Sequence, residues 1–382
     1  MPLKKTLRCA INAEPMFQRV PTGVGVYTLA LCRGMAEIGR ADSVALFHAR
    51  HRAVPPTVEA LPMERFEFAA EREALYRSWH EQHRPVPQMV VGDVDVVHAP
   101  GPAIPPTGAA HLVATIHDLA PLRFPERYSA RQRVTLKRGA LKAAREAELI
   151  ICPSWSTAVE VEALLDVDPA RLRVVPQGVR LTDEGDLPKE SEVRRVLAGR
   201  GIHRPYILWI GTQEQRKNVH AVLDAFANLA PRHPEFSLVL HGPSGWLGAE
   251  VAEGIERRKI SDRTVVSEGP ATRREVTALY LGATVFVFPS LYEGFGLTVL
   301  EAMACGVPVV TSNQSAMPEC VGDAGLLVDP LDHDGVAAAI ERLLDDDDLR
   351  KRLADAGRQR SAVFTWAETA RRTWSVYEEL VR

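Results

Sequence analysis

Short apolar runs rich in valine, isoleucine and leucine alternate with longer stretches of helical periodicity along most of the chain. In the first half, the runs at 7–13, 43–47, 94–98, 112–116, 149–152 and 172–175 predict strands, and helical patterns fill the gaps, notably at 25–38 and 130–147. A second series follows at 206–210, 237–241, 264–266, 284–288, 308–311 and 325–328, with a last helical pattern around 366–381. Strands separated by helix-length segments are the mark of βαβ units and parallel sheets. The stretch 181–203 is polar, carries glycine and proline and mixes both charges, so it reads as a linker. The expectation is an α/β chain of two doubly wound, Rossmann-like domains, 1–181 and 182–363. The last helix, about 364–382, is expected to pack back onto the first domain. In such domains ligands bind beyond the carboxyl ends of the strands.

Composition narrows the function classes. A chain of 382 residues exceeds a single ordinary core, and 46% hydrophobic with 25% charged residues is a globular balance. The net charge of −3 offers no general attraction to nucleic acid, and no nucleic-acid partner is expected. The five cysteines are scattered and form no Cys-x-x-Cys pair, which fits small buried residues in a reducing compartment and neither a disulfide framework nor a zinc site. No apolar run reaches the ~18 residues that span a bilayer, and the opening Met1-Pro-Leu-Lys-Lys precedes a strand pattern without a cleavage site. A cytoplasmic protein is expected.

Four segments carry candidate chemistry. In Phe288-Pro-Ser-Leu-Tyr-Glu-Gly-Phe-Gly-Leu-Thr-Val-Leu-Glu301 a strand gives way to a loop with Gly294 and Gly296, then to a helix near Leu297. Its glycines allow close ligand approach and the helix N-terminus suits phosphate oxygens, while Glu293 and Glu301 can accept from sugar and ribose hydroxyls. A structural loop with a helix-dipole glutamate is the plainer alternative. In Trp209-Ile-Gly-Thr-Gln-Glu-Gln-Arg-Lys-Asn218 a strand ends at Gly211, and Asn218 is a candidate N-cap for the helix that follows. Arg216 and Lys217 could meet the growing charge of a diphosphate leaving group without a metal, although a solvated loop would look the same. Pro21-Thr-Gly-Val-Gly-Val-Tyr-Thr28 is half of a dinucleotide fingerprint with Gly23 and Gly25, but Thr28 replaces the third glycine and speaks against a dehydrogenase. In Ala114-Thr-Ile-His-Asp-Leu-Ala-Pro121, His117 stands at a strand's carboxyl end, as a site residue or a structural histidine.

Glu293 and Glu301, with seven residues between them, resemble the E-x7-E motif of glycosyltransferase family 4. The segment Gly211–Asn218 resembles that family's diphosphate-binding Arg/Lys loop, in the form found among bacterial mannosyl- and surface-polysaccharide transferases. The segments at 22–28 and 115–121 resemble that subgroup's glycine loop and histidine strand end. The stretch Pro153-Ser-Trp-Ser through Arg173-Val-Val-Pro-Gln-Gly-Val179 also runs like the family, with Gln177 where asparagine is usual. The resemblance covers nearly the whole chain, in order. It implies a GT-B fold, two Rossmann-like domains facing a cleft, and retaining transfer of mannose or a related hexose from a GDP- or UDP-sugar to a glycan, lipid-linked or small-molecule acceptor. By the same resemblance Arg216 and Lys217 bind the diphosphate. Glu293 touches the donor sugar, Glu301 the ribose, and the segment Gly294, Phe295, Gly296, Leu297 and Thr298 the phosphates and sugar. Gly211 lies in the donor loop, Gly23 and Gly25 approach the phosphate, and His117 sits beside the transferred sugar. No cofactor and no metal are implied. A non-catalytic nucleotide-sugar-binding homologue is the alternative.

Other features stay with plain readings. Asp93-Val-Asp95 imitates a metal-binding Asp-x-Asp but opens a strand, and the pairs His48/His51 and His80/His83 lack a further ligand and read as surface. Asp345–Asp348 opens a helix. Arg131, Arg138, Lys142 and Arg145 share one helical face, which fits either a solvated surface or peripheral contact with an anionic inner membrane face.

Overall fold

The computed structural model describes residues 7–18, 23–182, 185–245 and 247–382. Pro21 and Thr22 of the glycine loop lie outside the described residues. The chain divides into two compact units, Met1–Gly178 with Thr365–Arg382, and Val179–Phe364.

The first unit is built on β1 (Cys9–Asn12), β2 (Val44–His48), β3 (Glu64–Glu67), β4 (Val96–Ala99), β5 (His111–Thr115), β6 (Leu149–Cys152) and β7 (Leu172–Val174). They form one parallel sheet in the order β3-β2-β1-β4-β5-β6-β7. Strands β1, β2, β4 and β6 are buried at every residue because helices cover both faces. Strand β3 has no counterpart among the expected strands. Its sequence, Glu-Arg-Phe-Glu, has no apolar run, and it is held at the sheet edge by backbone pairing to β2.

The second unit holds β8 (Tyr206–Ile210), β9 (Ser237–His241), β10 (Thr264–Ser267), β11 (Val285–Phe288), β12 (Val309–Ser312) and β13 (Leu326–Val328). They are parallel, in the order β10-β9-β8-β11-β12-β13. Trp209, Tyr206, Tyr280, Phe286 and Phe288 fill its core. The segment expected as a linker contains a helix, Glu190–Gly199. Its polar composition hides two apolar positions one turn apart, Val193 and Leu197, which it buries against the helix Arg273–Gly282.

The last helix, Trp366–Leu380, packs along the helix Gly23–Glu37 of the first unit. The approach is close enough that a Cβ on Gly34 would lie 2.5 Å from the Trp366 carbonyl oxygen, and one on Gly178 would lie 2.3 Å from the Trp366 nitrogen. The Thr365 side chain caps the helix, and Thr369 Oγ1 donates to the Pro176 carbonyl at 2.8 Å. Deeper in, Tyr377 OH bonds His98 Nδ1 at 2.7 Å and His98 Nε2 bonds Thr115 Oγ1 at 2.8 Å. Among the described residues no helix is long and apolar enough to cross a membrane.

The helix Ala130–Glu146 corrects the expected basic face. Arg138 and Arg145 are exposed, but Lys142 is buried, its Nζ donating to the Trp79 carbonyl at 3.0 Å. The helix lies low at this point because Gly139 packs against Pro102, where a Cβ would come within 2.3 Å of the carbonyl oxygen. Nothing is described of the Arg131 side chain. His48 is also no surface residue: it ends β2, and the Phe17 ring packs against it. His51 bonds the buried Glu14 carboxylate at 3.0 Å. Asp95 accepts from the Arg8 backbone at 2.9 Å, a structural contact. Asp346 caps the helix Asp347–Ser361.

Candidate active site

In the second sheet the chain leaves β8 for β9 on one side and comes back through β11 on the other, so the carboxyl ends of β8 and β11 flank the switch point where α/β sheets bind ligands. The loops after these two strands carry Arg216, Lys217 and Glu293, and the fold stitches them together. Leu291 N and Ser290 Oγ both donate to the Arg216 carbonyl, at 2.8 and 2.9 Å. Asn218 is not the side-chain cap expected from its position. It takes a left-handed φ of 53°, and its Nδ2 donates to the carbonyls of Pro289 (3.0 Å) and Pro330 (2.7 Å), joining the loops after β8, β11 and β13. Gly211 lies beneath a second glycine: a Cβ on Gly242, which has a φ of 134°, would lie 2.2 Å from the Gly211 carbonyl oxygen.

The charged groups meet at Glu293. Lys217 Nζ lies 2.5 Å from Glu293 Oε1 and Arg216 Nη1 lies 2.9 Å from Oε2, while Ser290 Oγ lies 2.9 Å from Oε1 and shares its one proton between this carboxylate and the Arg216 carbonyl. Burial alone would raise the Glu293 carboxyl, but Lys217 and Arg216 outweigh it and hold it below the usual carboxylate range. The Glu293 backbone is clamped by Ser315, whose Oγ accepts from the nitrogen at 3.1 Å and donates to the carbonyl at 2.5 Å. Arg216 is further held by the Tyr292 carbonyl (2.8 Å) and by Glu214 (2.7 Å), and Lys217 lies 5.1 Å from the centre of the Phe288 ring.

Gly294, Phe295 and Gly296 lead into the helix Leu297–Ala304, whose first backbone N–H groups, from Leu297 and Thr298 onward, face out of its N-terminus. Gly296 is closely packed: a Cβ there would lie 2.9 Å from the Met317 methyl and 3.0 Å from the Cys320 sulfur, so those side chains would have to shift. Glu301, one turn further on, differs in kind from Glu293. Burial raises its carboxyl, only partly offset by Arg273 Nη1 at 3.2 Å and by Tyr280 OH, which donates at 3.2 Å. Arg273 and Tyr280 left no signal in the sequence, because their helix reaches Glu301 only through the fold.

In the first unit, Gly23 and Gly25 sit in the first turn of the helix Gly23–Glu37. A Cβ on Gly23 would meet nothing within 4 Å, so packing among the described residues does not ask for glycine there. Thr28 Oγ1 turns back to the Val24 carbonyl at 2.7 Å. His117 follows β5. Its Nε2 lies 2.9 Å from the Pro100 carbonyl, which can only accept, so Nε2 carries the proton; Nδ1 then accepts from Gln177 Nε2 at 3.2 Å. Burial lowers its pKa against the opposing pull of Pro100 and Asp118, and the ring is neutral with both nitrogens engaged. Gln177, the departure from the family pattern, is thus a direct partner of a candidate site residue.

Two parallel doubly wound units, one with a cation–carboxylate cluster at its switch point, fit the architecture of GT-B glycosyltransferases. The family follows from comparison with known proteins. The description "Glycosyltransferase Family 4" matches residues 21–183 and "Glycosyl transferases group 1" matches residues 199–360. The chain is 32% identical over 374 residues to O-antigen chain mannosyltransferase B of Escherichia coli, covering 94% of this chain and 96% of that protein. It is 34% identical over 289 residues to the MMP alpha-(1->4)-mannosyltransferase of Mycolicibacterium hassiacum, covering 71% of this chain and 66% of that protein. Among solved structures, Anabaena HepE in complex with UDP and glucose matches with a TM-score of 0.74 at 16% identity, over 97% of this chain and 99% of that one. The chain belongs to glycosyltransferase family 4, on the side of the mannosyl and surface-polysaccharide enzymes.

Proposed function

We propose that the protein is a retaining, metal-independent hexosyltransferase that moves mannose or a related hexose from a GDP- or UDP-sugar to a glycan, lipid-linked or small-molecule acceptor. The observation that carries this reading is the meeting of Arg216, Lys217 and Glu293 at the switch point of the second sheet. A guanidinium and an ammonium there can meet the charge that grows on a departing diphosphate, the task a metal ion performs elsewhere. Glu301 accepts from the ribose hydroxyls and Glu293 from those of the sugar. Gly23, Gly25 and His117 keep, as part of this proposal, the phosphate and sugar contacts that the resemblance implies.

In the reaction, the bond from the anomeric carbon to the leaving phosphate oxygen breaks. The acceptor hydroxyl oxygen bonds the same face of that carbon, and its proton passes to the departing phosphate. No enzymic nucleophile is needed, and His117, with both ring nitrogens occupied, positions and does not exchange a proton. The relatives named as mannosyltransferases support the hexose, and the UDP in the Anabaena structure supports a nucleoside diphosphate ligand.

The setting we propose is cytoplasmic. With Lys142 withdrawn, peripheral contact with anionic membrane falls to the exposed Arg138 and Arg145. Co-sedimentation with anionic vesicles at low salt tests that contact, and failure to pellet removes it. The reaction is tested by following nucleoside diphosphate release from GDP-mannose and from UDP-sugars, with and without EDTA. Turnover should persist in EDTA. Loss in EDTA with recovery in Mg²⁺ or Mn²⁺ overturns the metal-independent mechanism, and no turnover with any donor and acceptor overturns the transferase reading.

A further inference from the structure

The charges of Arg216, Lys217, Glu214 and Glu293, the four ionised side chains clustered here, cancel. A diphosphate arriving at such a set gains no net attraction unless a carboxylate withdraws. The two carboxylates are not equally held. Glu293 bonds Lys217, Arg216 and Ser290, is 13% exposed, and has its backbone clamped by Ser315. Glu214 is 30% exposed, and among the described residues its carboxylate is held by Arg216 Nη2 alone, at 2.7 Å. Its backbone is ordinary extended chain (φ −132°, ψ 151°) just before the turn Gln215–Lys217, so side-chain rotation is enough to release it. Carboxylate and phosphate are the two anions that a guanidinium fork takes interchangeably.

We infer that Glu214 is an internal stand-in for the donor's phosphate. It occupies Arg216 Nη2 while the site is empty, yields it to the diphosphate of the incoming donor, and retakes it as the nucleoside diphosphate leaves. Glu214 therefore sets donor affinity, weakens product binding and speeds product release. The inference rests on the placement of the diphosphate at Arg216 proposed above.

Titration calorimetry of UDP and of GDP against the whole protein and its Glu214→Gln variant, at one ionic strength, tests it. Gln keeps the size of the side chain and removes its charge, so the variant should bind whichever diphosphate the wild type binds about three- to tenfold more tightly, the range of a largely buried, charge-assisted ion pair of this kind. Nucleotide dissociation should slow in parallel, and in an Arg216→Ala background the gain should vanish. Equal or weaker binding by Glu214→Gln would show that Glu214 orients Arg216 for the ligand, and a gain that persists without Arg216 would place its action elsewhere; either overturns the inference. Absence of binding of both diphosphates by the wild type is a distinct result, which removes the donor site itself and the inference with it.

Discussion

Lys217→Ala removes one of the two cations that hold the buried Glu293 carboxylate ionised. Breaking a fully buried ion pair costs about 3–5 kcal/mol. Here Arg216 and Ser290 still bond the carboxylate, both at 2.9 Å, so a smaller loss of about 1–3 kcal/mol is expected. The sign of its pH dependence follows from the Glu293 carboxyl, held in the fold below its ordinary value of 4.5. That stabilisation is fully present above the ordinary value and is lost as pH falls through the folded one. With Lys217 gone, burial carries the carboxyl upward, so the deficit should be full at pH 7 and shrink in acid. The effect on turnover should be larger: losing a group that stabilises leaving-group charge costs about 2.7–4 kcal/mol, roughly 10²–10³ in rate. Urea denaturation at pH 7 and pH 4, beside nucleotide-release kinetics, measures both. A deficit equal at the two pH values would assign the loss to the packing of Lys217 on Phe288, and a variant with wild-type stability and turnover would refute the reasoning altogether.

Glu301→Ala should weaken nucleoside diphosphate binding about tenfold or more, the worth of hydrogen bonds to a charged group, while leaving kcat comparatively intact; an effect on kcat alone would take Glu301 away from the ribose. His98, pushed down to about 3 by burial, is neutral in the fold, whereas an unfolded histidine charges near 6.5. The first unit should therefore lose roughly 1.4 kcal/mol per pH unit from this group as pH falls below 6.5 towards 3, a slope that His98→Gln removes in pH-dependent denaturation and that would persist if His98 were not its source. Gly178→Ala places a methyl 2.3 Å from the Trp366 nitrogen and should loosen the last helix by about 1–3 kcal/mol, read as faster amide exchange in Trp366–Leu380; unchanged exchange would contradict the close packing.

What was legible in the sequence was what short-range pattern encodes. The buried strands β8 and β11 are continuous apolar runs because both of their faces are covered, and the glycine-bearing loops after them stand out against those runs. The capping box of Thr272 with Glu275 is likewise a local Thr-x-x-Glu pattern. Strand β3 and the helix Glu190–Gly199 carry no such pattern, for one reason: an edge strand and a helix with one narrow apolar stripe bury too little to mark their own sequence.

The sequence by itself therefore determined the two α/β units, the family, and which residues carry the candidate chemistry, since these rest on residue identity and on spacing along the chain. Tertiary structure alone decided how those residues are used. It paired Glu293 with Arg216 and Lys217 across loops more than seventy residues apart, turned Asn218 from a cap into a tie between loops, sank Lys142 beside Trp79, and set Gln177 against His117. Ionisation and hydrogen bonding depend on distance and on exclusion of water, and a linear sequence states neither until the chain has folded.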